Sequence, residues 1–129
     1  MIENTIAAWH ECLQAKDAGK LHALLHPEAV FHSPVVHTPQ RGRDLTQMYL
    51  MAAFKVLNGD NFTYVREIVG DQDAVLEFTT TLDGIQINGV DLIRWDETGR
   101  ITDFKVMIRP LKAIDMVHQK MATMLMKQS

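Results

Sequence analysis

Apolar positions near the start of the chain recur at helical spacing: Ile2, Ile6, Trp9 and Leu13 fall three and four residues apart on one stripe. Asp17-Ala18-Gly19 interrupts the stripe, and Leu21, Leu24 and Leu25 begin a second, short helix. His26-Pro27 should stop it, because a residue before proline avoids the α region. Ala29 to Val36 reads as a strand, followed by a loop with Pro39 and Gly42. Residues 43–57 give the clearest helix, with Leu45, Met48, Tyr49, Ala52 and Val56 on a wide apolar face, and Asn58-Gly59 ends it. The period then changes from 3.6 to 2. Strands are predicted over Phe62–Val69, Ala74–Leu82, Ile85–Trp95 and Ile101–Ile108, separated by Gly70-Asp71, Asp83-Gly84 and Asp96-Glu97-Thr98-Gly99. Turns this short make the neighbours antiparallel. Pro110 suits the first turn of a closing helix whose stripe is Leu111, Ile114, Val117, Met121 and Leu125.

Early helices followed by a run of antiparallel strands indicate an α+β fold with helices on one face of a curved sheet. A twisted sheet covered by a long helix leaves a concavity, where small molecules bind. A chain of 129 residues has the length of one domain, expected to span residues 1–129. The net charge of −3 argues against a nucleic-acid surface, which needs clustered cations. Cys12, the one cysteine, forms no internal disulfide, and no Cys/His spacing resembles a zinc site, so neither metal nor cofactor is expected. The first residues, MIENTIAAWHE, show no signal peptide, and no stretch reaches the ~18 apolar residues of a membrane span. A cytoplasmic location away from membranes is the expectation.

Two segments resemble the ketosteroid isomerase branch of the nuclear transport factor 2-like superfamily, which also holds the SnoaL-like polyketide cyclases. The first is Glu28-Ala29-Val30-Phe31-His32-Ser33-Pro34, followed after a loop by Gly42-Arg43. The second runs from Val90-Asp91-Leu92-Ile93-Arg94-Trp95 through Asp96-Glu97-Thr98-Gly99-Arg100-Ile101. The resemblance implies a cystatin-like cone, a curved antiparallel sheet wrapped by N-terminal helices with a helix at the C-terminus. It sets Asp91 on the isomerases' oxyanion-hole carboxylic acid and Ser33 where those enzymes carry the catalytic aspartate. Near the family's first-helix tyrosine this chain has Trp9, Cys12 and Leu13.

Asp91 is the leading catalytic candidate, since alternation puts it on a face with Ile85, Ile87, Ile93 and Trp95, and an unpaired buried charge is costly. Its carboxyl would donate a hydrogen bond to a ligand oxygen or remove a proton. The competing readings are an ion pair with Arg94 or Arg109, or a bulge at Asn88-Gly89 turning it to solvent. His32 is a second catalytic candidate, an imidazole replacing the missing carboxylate, although alternation gives His32 and Ser33 opposite faces. Ser33, Tyr49, Trp9, Trp95 and Phe104 are the expected ligand-binding residues. Glu77 is either a wet pocket wall or an outer-face acid, and the methionines of the closing helix either a lid or core.

Three functions fit: a cofactor-free isomerase, cyclase or dehydratase moving protons on a hydrophobic carbonyl compound; a non-catalytic module for a small apolar ligand; or a dimeric interaction domain. A homodimer through the outer sheet face is the default assembly, with Val65, Val69 and Val75 as candidate contacts.

Overall fold

The computed structural model describes residues 2–59 and 61–128. The elements run α1 (Thr5–Ala15), α2 (Ala18–Leu24), β1 (Leu25–His32), β2 (Gln40–Arg41), α3 (Arg43–Leu57), β3 (Thr63–Val69), β4 (Asp73–Leu82), β5 (Ile85–Trp95), β6 (Ile101–Arg109) and α4 (Leu111–Gln128). The six strands form one sheet in the order β2-β1-β6-β5-β4-β3. β3 to β6 are an antiparallel meander, as the turn lengths require. β1 joins it parallel to β6. A long crossover through α3 and β3 to β5 separates these two strands, which is the kind of connection parallel neighbours need.

The early boundaries differ from the sequence expectation. α2 ends at Leu24, and β1 runs Leu25–His32 rather than Ala29–Val36. Its ladder with β6 is irregular between Leu25 and Val30, and Pro27, which has no N–H to give, lies in that stretch. The strand stops at His32 because Ser33 turns the chain: its Oγ accepts the Val35 amide at 3.0 Å, ahead of which Pro34 has none to offer. The two-residue β2 carried no periodicity and was not anticipated.

Three inward-facing rows cross the sheet. One comprises Tyr64, Phe78, Gly89 and Ile108, the next Glu67, Leu76, Asp91 and Val106, and the third Ala74, Ile93, Phe104 and Phe31. α1 and α3 cover this face, and Trp9, Leu13, Leu50 and Phe54 bury themselves against it. Thr46 Oγ1 donates to Ala29 O at 3.1 Å, which fastens α3 to β1. The start of α1 is tied to the β5–β6 turn by Ile2 N to Thr98 O at 2.8 Å and Thr5 Oγ1 to Gly99 O at 2.8 Å. α4 closes the open end, and Lys120 Nζ reaches Asp83 Oδ2 in the β4–β5 turn at 2.9 Å.

The proposed outer-face trio is divided by register. A bulge between Tyr64 and Arg66 resets β3, so Val69 pairs with Ala74, which is buried on the concave side, while Ile68 pairs with Val75. Val69 and Val75 therefore lie on opposite faces.

Gly89 sets how closely β4 side chains approach β5. A Cβ there would overlap the Phe78 ring and stand 2.9 Å from Met107 O. We expect Gly89→Ala to cost about 1–3 kcal/mol by overpacking, measured by urea unfolding. A neutral result would show that the Phe78 ring is free to move aside.

Candidate functional site

Between the concave sheet face, α1, α3 and α4 lies a cavity of about 230 Å³. Eight of the chain's nine aromatic side chains line it. They arrive from every layer: Trp9 from α1, Tyr49 and Phe54 from α3, Phe62 just ahead of β3, and Phe31, Tyr64, Phe78 and Phe104 from the strands. The closing helix contributes Val117, His118, Met121 and Leu125, with His118 exposed at the rim.

Asp91 lies in this apolar surface, 6% exposed. The β4–β5 ladder is unbroken from Asp73 to Leu82, so there is no bulge at Asn88-Gly89 and the carboxyl keeps its inward direction. It pairs with neither Arg94 nor Arg109. Its partner is Tyr64, whose hydroxyl donates to Asp91 Oδ2 at 2.6 Å while accepting from Trp9 Nε1 at 3.0 Å. Asp91 Oδ1 has no partner among the described residues. Since no buried polar side-chain atom among them is left unsatisfied, Oδ1 opens to the cavity.

Burial pushes the Asp91 carboxyl up from 3.8 to about 7, against the Tyr64 hydrogen bond, which favours the ionised form. Tyr64 is held far above the ordinary phenol range by burial first and then by the neighbouring Asp91. Tyr64 is thus fixed as a donor, and Asp91 is the group whose proton moves near neutral pH.

Ser33, Tyr49, Trp9 and Phe104, expected at the ligand site, all line the cavity. Ser33 Oγ accepts from its own turn, which leaves its proton free to donate. The Tyr49 hydroxyl makes no hydrogen bond among the described residues, and its ring stacks on Phe31 at 5.7 Å. Two expectations are corrected. His32 is outside the cavity: alternation turns it to the outer face, where Nε2 meets Asp103 Oδ1 at 2.8 Å. Trp95 is also outside. It stands four residues beyond Asp91, roughly 13 Å along the strand, past a register shift at Arg94. Glu77 faces outward, accepting from Asn88 Nδ2 at 3.0 Å and lying 3.4 Å from Arg66 Nε.

Tyr64 escaped the sequence reading. It stands 27 residues from Asp91 on a bulged strand, whereas the tyrosine expected from the resemblance belonged on the first helix. The usable signal was its position opposite Phe78 in an aromatic-rich strand start. Among the described residues, no three His, Cys, Asp or Glu side chains gather where they could hold a metal ion. No helix among them is long and apolar enough to cross a membrane.

A folded-state pKa above the unfolded one means that the fold binds the proton more tightly. Asp91 therefore contributes stability that is complete below about pH 4 and lost as pH rises through about 7. Every tenfold gain in proton affinity corresponds to about 1.4 kcal/mol. Between pH 4.5 and pH 8, Asp91→Asn should gain a few kcal/mol relative to the parent, read from urea unfolding at both pH values. A difference that stays constant with pH would refute the raised pKa. Tyr64→Phe removes the bond that favours ionisation, so the Asp91 titration should move higher, as followed by carboxyl-labelled NMR.

The SnoaL-like domain model matches residues 6–104. The fold superposes with a TM-score of 0.90 on the crystal structure of a steroid delta-isomerase from Pseudomonas aeruginosa, at 35% identity over 96% of this chain and 90% of that one. A protein with a cystatin-like fold from Silicibacter pomeroyi DSS-3 gives a TM-score of 0.88 at 31% identity, covering 97% and 87% of the two chains. A ketosteroid isomerase-like protein from Catenulispora acidiphila, solved with trimethylamine, shares the fold at a TM-score of 0.63 and 12% identity, over 88% of this chain and 91% of that one. No protein of curated function matches the sequence. The extent of the family match and the two relatives above 30% identity place the chain in the SnoaL-like family, on a nuclear transport factor 2-like, ketosteroid isomerase-like fold.

Proposed function

We propose that the protein is a cofactor-independent, isomerase-type enzyme that relocates a proton on an apolar carbonyl compound, with Asp91 as the group that takes and returns it. The observation carrying this reading is the Asp91 carboxyl itself. One oxygen is anchored by Tyr64 and the other is open to an aromatic cavity, and among the described residues it is the one carboxyl lining that cavity.

The chemistry follows from the groups in place. Ionised Asp91 removes a proton from the carbon beside the carbonyl, and the C–H electron pair moves into an enolate whose charge rests on oxygen. The unspent hydroxyl protons of Ser33 and Tyr49 are available to that oxygen. Protonated Asp91 then delivers the same proton to another carbon of the conjugated system. A pKa of about 7 leaves both forms populated at neutral pH, as a group that must accept and then donate requires. Tyr64 keeps its own proton throughout and orients the carboxyl. The 35% identity to a protein described as a steroid delta-isomerase supports the reaction class. Ser33 in place of that family's base moves the proton-accepting role to Asp91.

The test is exchange of the α-protons of 2-tetralone in heavy water, followed by NMR. The enzyme should accelerate exchange, with the rate rising through about pH 7 as the carboxylate forms. Asp91→Asn should lower it by roughly 10²- to 10⁴-fold while the fold is retained. Activity that falls across the same pH range would instead make Asp91 a neutral hydrogen-bond donor. Binding of 2-tetralone with no acceleration at any pH would favour a non-catalytic binding module.

A further inference from the structure

We infer that the cavity selects flat, unsaturated compounds of two-ring size, and that a four-ring steroid is not its ligand; the placing of the ligand's oxygen with Ser33 and Tyr49, and of the carbon beside it with Asp91, rests on the function proposed above. Size is the first argument. An apolar cavity of about 150 Å³ holds one benzene ring, so the 230 Å³ here corresponds by proportion to roughly nine or ten ring atoms. A fused bicycle has that many, whereas a steroid nucleus has nearly twice as many. A steroid seated at Asp91 would have to carry its remaining rings out past exposed lining residues such as Val36 and His118.

Shape is the second argument. The wall rings fall into two near-parallel sets. Phe31 lies at 28° to both Tyr49 and Phe104, with centroids 5.7 and 6.3 Å away, while Phe62 and Phe78 lie at 24° to each other, 5.1 Å apart. Tyr64 stands at 85° to Phe62 and Phe78, presenting an edge rather than a face. Aromatic faces in two stacked sets, with the Tyr64 edge set against one of them, suit a planar guest, which gains face and edge contacts that a puckered saturated ring of the same carbon count cannot make. The residue types carry the same signal. A cavity meant only to exclude water can be lined with leucine and isoleucine, yet here Trp95 alone among the chain's aromatics is absent from it.

The third argument is polarity. Apart from the Tyr64 and Trp9 pair, which is committed to Asp91, the open polar groups of the wall are Asp91 Oδ1 and the hydroxyl protons of Ser33 and Tyr49. One oxygen on the bicycle takes the two hydroxyl protons. A second polar substituent would find water at the exposed rim, as at His118.

Calorimetric titration with 2-naphthol, decahydro-2-naphthol and progesterone tests this, with quenching of Trp9 fluorescence as a second readout. The expected order is 2-naphthol tightest, by about tenfold over both its saturated analogue and the steroid. Progesterone binding as tightly as 2-naphthol overturns the size argument, equal binding of the two naphthols overturns the shape argument, and binding of none of the three overturns both. Repeating the series on the Ser33→Ala/Tyr49→Phe double variant separates this inference from the functional reading. If the variant keeps the order of preference but binds 2-naphthol several-fold more weakly, both stand. If it keeps the order with unchanged affinity, the cavity selectivity stands and the placing of the oxygen with these hydroxyls falls.

Discussion

A single carboxyl placed in an aromatic enclosure is the constraint around which this molecule is arranged. Taking a carboxylate out of water is costly, and among the described residues no cation pairs with Asp91 to offset it. The fold instead supplies one strong donor, the Tyr64 hydroxyl at 2.6 Å, and orients that donor with the Trp9 indole at 3.0 Å. Two opposing effects then set the ionisation: burial raises the pKa and the tyrosine lowers it, and burial prevails. An arginine in Tyr64's place would hold the group permanently ionised. An apolar residue there would leave it protonated well above neutrality. The tyrosine places it between those limits.

The remaining architecture serves to hold three groups from distant parts of the chain at that spot. Trp9 comes from α1, whose start is pinned to the β5–β6 turn through Ile2 and Thr5. Tyr64 comes from β3, at the sheet edge, and Asp91 from β5, with β4 between them. The hydrogen bond therefore spans two strand spacings on the inner surface, roughly 10 Å between backbones, a reach available to a tyrosine on a strongly curved sheet. The cross-strand partner of Asp91 on the intervening strand is Leu76, which is fully buried and offers no competing polar group. Removing Gly89 from the neighbouring row would push Phe78 against this arrangement, which is why a residue without a side chain is needed there.

How much of this was legible in the sequence depended on whether the information was local. Unbroken alternation through Ile85, Ile87, Ile93 and Trp95 was enough to turn Asp91 inward, and the same rule put His32 and Ser33 on opposite faces without saying which was the inner one. The antiparallel meander followed from turn lengths, and the α+β class from element order. What failed was non-local. Trp95 shares a face with Asp91, but sharing a face says nothing about distance along a long strand. Tyr64 was hidden because the bulge after it breaks the period that would have marked β3 as a pocket wall. Its pairing with Asp91 follows from strand order, which no periodicity encodes. The Val69 and Val75 grouping failed for the same reason, since one inserted residue reverses every side chain beyond it. The parallel pairing of β1 with β6 likewise had no signal of its own.

In the function proposed above, a serine at position 33, where the resemblance implies a carboxylate, changes more than the count of reacting groups. Ser33, just past the His32–Lys105 pair that ends β1, lines the same cavity as Asp91. Two carboxyls facing each other across so apolar a space would couple, each raising the other's pKa until one was held neutral. Division of labour between a base and a neutral donor arises naturally from such a pair. With serine at one end the coupling is absent, and the ionisation of Asp91 is governed by burial and Tyr64 alone. A hydroxyl can donate to a developing oxyanion but cannot accept a proton from carbon near neutral pH, so in the function proposed above Asp91 does the accepting and Ser33 only donates. On the function proposed above, this lone carboxyl in a cavity of about 230 Å³ is what the chain would use on a smaller ketone, although it is 35% identical to a protein described as a steroid delta-isomerase.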